Sequence, residues 1–267
     1  MASSVETTIL AIVTYMLEFR LLAFANIIFT IIILLLLIRK YSERVRKVMH
    51  VYFAVLTVYT PILLIWYLNL ATRDVNALQD RAYQLVGLKA LPPGMVSEGV
   101  TIPTSLFGAL AILFFAATIG TVIFWLFDIK KRNTVYDYSK MPRWQKILTL
   151  FLVFYALTYF HSFLFGVYFA IVGGVPIPLF SQYGLWSCPS NLFFVAILAP
   201  LVPRVNKPLY VSVCVNSIIA PLLQQGIAPL AVNLDALSAL PAGLYGLIML
   251  WRSTRKMEID TLHDQGR

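Results

Sequence analysis

The sequence predicts an all-α fold: a polytopic integral membrane helix bundle of about seven transmembrane helices, N-terminus outside and C-terminus inside. Three observations predict it. The 267 residues are 60% hydrophobic and 12% charged, with a mean hydropathy of +0.80, whereas soluble domains carry about 25% charged residues. The apolar runs are continuous rather than alternating, which favours helices over a membrane β-barrel. Finally, 17 of the 21 Lys and Arg residues fall in alternate connections once the runs are threaded as spans.

The first apolar stretch runs from Thr8 to Ile38 and is interrupted by Glu18 and Arg20. At ~1.5 Å per residue it would be about 46 Å long, too much for one hydrocarbon core. Residues 21–38 are therefore the expected span, with 5–17 as an outer helical extension. Further spans are expected at 50–70, 104–127, 147–172, 191–202, 208–223 and 227–251. The fifth is short and contains Pro200, so a re-entrant hairpin is its rival. Residues 1–251 thus form one transmembrane domain and 252–267 a short cytoplasmic tail. The N-terminus lacks a basic region and carries Glu6, so it reads as an uncleaved, exported anchor.

Basic residues follow the first span (Arg39, Lys40, Arg44, Arg46, Lys47) and the third (Lys130, Lys131, Arg132, Lys140, Arg143, Lys146). They also follow the fifth (Arg204, Lys207) and the seventh (Arg252, Arg255, Lys256, Arg267). Cytoplasmic loops concentrate such residues. The +9 net charge is then topological, a set of cationic loops facing anionic lipid. No compact basic domain exists to bind nucleic acid. The expected localisation is the cytoplasmic membrane of a cell, as a multi-pass protein.

Two segments lie between spans. Residues 73–90 space Val75, Leu78, Leu85 and Val86 as a short amphipathic helix on the outer surface, ended by Leu91-Pro92-Pro93-Gly94. Residues 173–190 are rich in Gly, Pro and aromatics. Phe180, Tyr183 and Trp186 there suit a membrane interface.

Candidate chemistry is sparse. Cys188, beside Pro189 at a helix start, is a candidate reactive thiol, because a helix N-terminus lowers a thiol pKa; a small buried cap residue is the plainer reading. Cys214 lies at another depth, so a disulfide between the two is not expected. His161 stands about 22 Å above the inner face and His50 at that face, which disfavours a bis-His haem. A single-His haem or a quinone contact at His161 stays open, and the cofactor is unknown. Glu18, Arg20, His161, Asp235, Gln224 and Gln225 belong to the outer half and could line an outward-opening polar vestibule; an ion pair near the headgroups is the plainer account. The chain has no metal-spaced Cys/His cluster and none of the common hydrolase, nucleotide or metalloprotease motifs.

The stretch Pro176-Ile-Pro-Leu-Phe180, Gly184-Leu-Trp-Ser-Cys188-Pro189-Ser-Asn-Leu-Phe193-Phe resembles the signature of an uncharacterised bacterial and archaeal multi-pass membrane family. That signature centres on Pro-Cys-Pro-Thr-Thr-Ile-Phe. Cys188, Pro189 and Phe193 match it; Ser187 replaces a Pro, and Ser190-Asn191 replace Thr-Thr. Residues 226–247 are similar to the family's last helix, with Asp235 at an acidic position. The resemblance covers about the last 120 residues and implies an all-helical membrane protein; the family's function is unknown, so no activity follows from it. The expected function is a membrane subunit or scaffold without catalysis of its own, with other membrane subunits, a second copy and the lipid bilayer as partners. A small-solute transporter and a redox or lipid-modifying enzyme are the alternatives.

Overall fold

In the computed structural model the described residues are 22–39, 42–73, 104–139, 141–160, 187–225 and 238–265, and they are helix and loop without a strand. The all-α class expected from the sequence holds for them. The helices are α1 (Leu22–Arg39), α2 (Glu43–Arg73), α3 (Thr104–Lys131), α4 (Arg143–Thr158), α5 (Ser187–Leu198), α6 (Lys207–Gln225) and α7 (Ala239–Gln265). A 3-10 turn, Ala199–Leu201, continues α5. Leu22–Arg39 and Gly108–Lys131 are long and apolar enough to cross a membrane; Cys188–Leu201 and Lys207–Leu222 are shorter apolar helices.

The outer layer is apolar and exposed. Phe24, Ile28, Ile32 and Leu35 on α1 face outward, as do Ile112 and Ile119 on α3 and Ile147, Leu150, Phe151 and Phe154 on α4. α5 is the opposite case. Every residue from Cys188 to Ala199 is buried, as expected for a helix that is apolar all round. α4, α6 and α7 pack against it, and α6 also packs against α3 and α7. At the centre Phe53, Trp125, Phe193 and Phe194 form an aromatic cluster with ring centroids 5.1–6.0 Å apart, the spacing of favourable edge and offset contacts.

Local signals set several helix ends. Ser42 caps α2, its Oγ accepting the Val45 N–H at 3.3 Å. Asn206 caps α6, its Oδ1 accepting the Leu209 N–H at 3.3 Å. α4 ends at Thr158; residues 161–172 of the span expected at 147–172 lie outside the described residues. Tyr159 takes a left-handed conformation (φ 47°) with its N–H on Tyr155 O at 2.7 Å. Its buried ring places the hydroxyl 3.4 Å from Ser238 Oγ, which offsets the cost of that backbone. α6 runs through Pro221 without ending.

Small residues let α7 approach α6. A Cβ on Gly243 would lie 2.7 Å from both Cys214 O and Ile218 Cγ1, and one on Gly246 would lie 2.5 Å from Cys214 Sγ. The Tyr210 hydroxyl donates to Gly246 O at 2.9 Å, and Ser217 Oγ donates to Ala239 O at 2.6 Å. Between α3 and α6, Asn216 and Thr118 exchange hydrogen bonds at 3.1 and 3.3 Å. Such side-chain links across helices join apolar surfaces that have no other directional contact.

Candidate functional site: a buried ionic junction beside an apolar groove

Glu43, Arg46 and His50 lie three and four residues apart on α2, so they share one face. That face meets the C-terminal turn of α3. Arg46 is 1% exposed; Nη1 donates to Asp128 O at 2.8 Å and Nη2 to Ile129 O at 2.7 Å. Both carbonyls lie in the last turn of α3, where the macrodipole is negative; Asp128 O also accepts the Arg132 N–H at 3.0 Å, and the guanidinium adds a charge-matched donor to each. Glu43 accepts from Arg46 Nη2 at 2.9 Å and Nε at 3.2 Å, and Arg132 Nε lies 3.5 Å from it. The hydrogen bond from Arg46 holds the Glu43 carboxyl below its usual range, against a smaller opposing effect of desolvation.

Asp128, fully buried, is the hub. Its Oδ1 accepts the N–H groups of Asn133 and Thr134, at 3.0 and 3.2 Å, and Asn206 Nδ2 at 3.3 Å. Its Oδ2 lies 2.9 Å from His50 Nε2 and 3.8 Å from Arg46 Nη1. His50 Nδ1 stands 2.8 Å from Arg46 O. A carbonyl only accepts, so the Nδ1 contact is a donation from the ring. The nearby guanidinium favours negative charge on the Asp128 oxygens. Trp125 and Tyr136 pack edge-on against the imidazole, and the Tyr136 hydroxyl is 3.4 Å from Nε2. The junction therefore ties α2, α3, the 132–138 chain and the start of α6 together, with the Arg46 and Arg132 guanidiniums set against the Glu43 and Asp128 carboxylates and His50 beside Asp128.

Residues 135–139, among them Tyr136 of the junction, line a groove of about 780 Å³. Leu34, Leu37 and Ile38 of α1 form one wall, Leu150 and Val153 of α4 the other, and Ile197 lies in the lining. Lys146, Asp137, Ser139 and Thr149, with the hydroxyl-bearing Tyr136 and Tyr138, contribute the polar lining. Asp137 accepts from Ser139 Oγ at 2.5 Å, Ser139 N at 3.0 Å and Arg204 Nη1 at 3.2 Å. The Ser139 hydroxyl and amide, then Arg204, hold its carboxyl down to about 2. The Tyr138 hydroxyl donates to Ile197 O at 3.0 Å, and burial pushes that phenol well above its ordinary value.

Of the sequence-predicted site residues, Glu18, Arg20, His161 and Asp235 lie outside the described residues, as do the side chains of Gln224 and Gln225 at the end of α6. The amphipathic segment 73–90 and most of the 173–190 loop lie outside them as well. Cys188 is buried at 3% exposure in the first turn of α5, and Cys214 is buried in α6. Among the described residues no group of three His, Cys, Asp or Glu could hold a metal ion. Arg46, counted by the sequence reading among the lipid-facing loop cations, is instead buried, because the end of α3 and Glu43 supply its partners. Asp128 was not singled out at all. A lone acidic residue at the basic end of an apolar helix, with a histidine and an arginine on one face of another, was the available signal.

No protein-family model, curated protein or solved structure matches the chain.

Proposed function

We propose that the chain is a multi-pass integral membrane protein, N-terminus outside and C-terminus inside, that serves as a subunit or scaffold of a larger membrane assembly. The observation that carries this reading is the contrast between its surfaces. α1, α3 and α4 expose long apolar faces, while α5 is buried on every side. Apolar faces of that extent on several helices suit lipid or a partner helix. The charged groups of the ionic junction are engaged with one another and with backbone, which favours a structural role for them. The basic connections support the orientation.

The test is purification in mild detergent, followed by a mass measurement and an absorption spectrum on the same fraction. A defined complex larger than one chain, with a second protein in fixed ratio, is expected. A lone colourless monomer retaining full thermal stability would count against the subunit reading and bring solute uptake assays forward.

A further inference from the structure

The groove between α1 and α4 combines apolar walls with a cationic group. Its walls are apolar, contributed by Leu34, Leu37, Leu150, Val153 and Ile197. Most of the polar groups in its lining are turned to other partners: the Tyr138 hydroxyl to Ile197 O, Tyr136 toward His50, and Asp137 to Ser139 and Arg204. Lys146 differs. It stands in the first turn of α4, which contains no acidic residue, and no carboxylate among the described residues pairs with it. The N-terminal turn of a helix carries positive partial charge, and Arg143 begins that same turn. The groove thus offers apolar walls with a cationic rim at one end. Its volume of about 780 Å³ falls within the ~300–1,000 Å³ range of small-molecule sites.

We propose that this groove holds one acyl chain of an anionic glycerophospholipid, with the lipid phosphate on Lys146. Charge complementarity selects the occupant. A neutral lipid leaves the ammonium without a counter-ion, a polar metabolite leaves the walls uncovered, and a soluble anion uses only the rim. The exposed apolar face of α1 adjoins the groove, so a chain enters sideways from the bilayer without crossing a polar barrier. The proposal rests on the membrane reading above.

The experiment is native mass spectrometry of the full chain in mild detergent, titrated with phosphatidylglycerol and phosphatidylcholine of identical acyl chains. The wild type should retain one phosphatidylglycerol about fivefold more tightly than phosphatidylcholine, the preference that one lysine near a lipid surface supplies. Lys146→Gln should bring the two lipids to parity, and Lys146→Arg should restore the preference. Leu150→Trp, at an exposed position, fills the groove and should reduce retention of both lipids. Equal retention by the wild type would overturn the proposal, as would a preference that survives Lys146→Gln. Unchanged retention in Leu150→Trp, or a doubled mass without lipid, would do the same. If inorganic phosphate binds the chain as tightly as phosphatidylglycerol does, the acyl chain adds nothing to binding and the proposal also falls. Alkaline carbonate extraction reads the membrane assignment separately. Release of the chain sinks that assignment, whereas a chain that stays in the membrane without lipid preference sinks only the groove proposal.

Discussion

Replacing Asp128 by alanine should be among the most damaging single changes in the described part of the chain. The substitution removes the acceptor for Asn133 N, Thr134 N and Asn206 Nδ2, and it takes the partner oxygen from His50 Nε2. It also leaves the buried Arg46 guanidinium with Glu43 as its remaining carboxylate partner in the junction. Breaking a buried ion pair from one side costs about 3–5 kcal/mol. Asp128→Asn should cost less, about 1.5–3 kcal/mol, because the amide oxygen still accepts the two backbone N–H groups while the charge-assisted bond is lost. A double-mutant cycle with His50→Gln isolates the Asp128–His50 contact, whose coupling should fall in the ~0.5–3 kcal/mol range of touching residues. The assay is reversible unfolding in mixed micelles by denaturing-detergent titration, followed by tryptophan emission. Trp125 is an internal reporter, with its ring 5.2 Å from the imidazole. If Asp128→Ala stays within about 0.5 kcal/mol of wild type, the scale of a neutral surface change, or the cycle gives no coupling, the reasoning about the junction is wrong.

Two further expectations follow from α7 and from the 132–141 chain. Gly243→Ala places a methyl group 2.7 Å from the Cys214 carbonyl, so α7 must shift away from α6; overpacking of this kind costs about 1–3 kcal/mol, and the same unfolding titration should show it. The Asp137–Arg204 contact should depend on pH in one direction. Its carboxyl is depressed from 3.8 to about 2, chiefly by Ser139, so its contribution is full above about pH 4 and is lost as pH falls through 2. The difference in thermal midpoint between wild type and Asp137→Asn should therefore hold steady above pH 4 and shrink below it, and a difference that grows on acidification would contradict the assignment.

The helices were legible because their signals are local. α3 occupies Thr104–Lys131, where the apolar run predicts a span at 104–127, and α6 occupies Lys207–Gln225, against 208–223. The end of α4 was not legible, since no glycine or asparagine marks the left-handed position that Tyr159 occupies. The ionic junction was hidden for a similar reason. His50 and Asp128 are 78 residues apart, and charge counting along the chain treats every Arg beyond a span as a lipid-facing cation. Arg46 breaks that rule because the end of a neighbouring helix presents two carbonyls at the right height. The groove was invisible in the sequence, being made by α1 and α4, whose adjacency no local pattern encodes.

The burial of α5 has a consequence for how the chain is made. Twelve residues of helix rise only about 18 Å, short of the ~30 Å hydrocarbon core. A helix of that length does not span a hydrocarbon core by itself. Its stable place exists once α4 is in position and α6 and α7 have closed around it. If the proposed membrane reading holds, α5 should therefore reach its buried place only after α6 and α7, which pack against it, have been made.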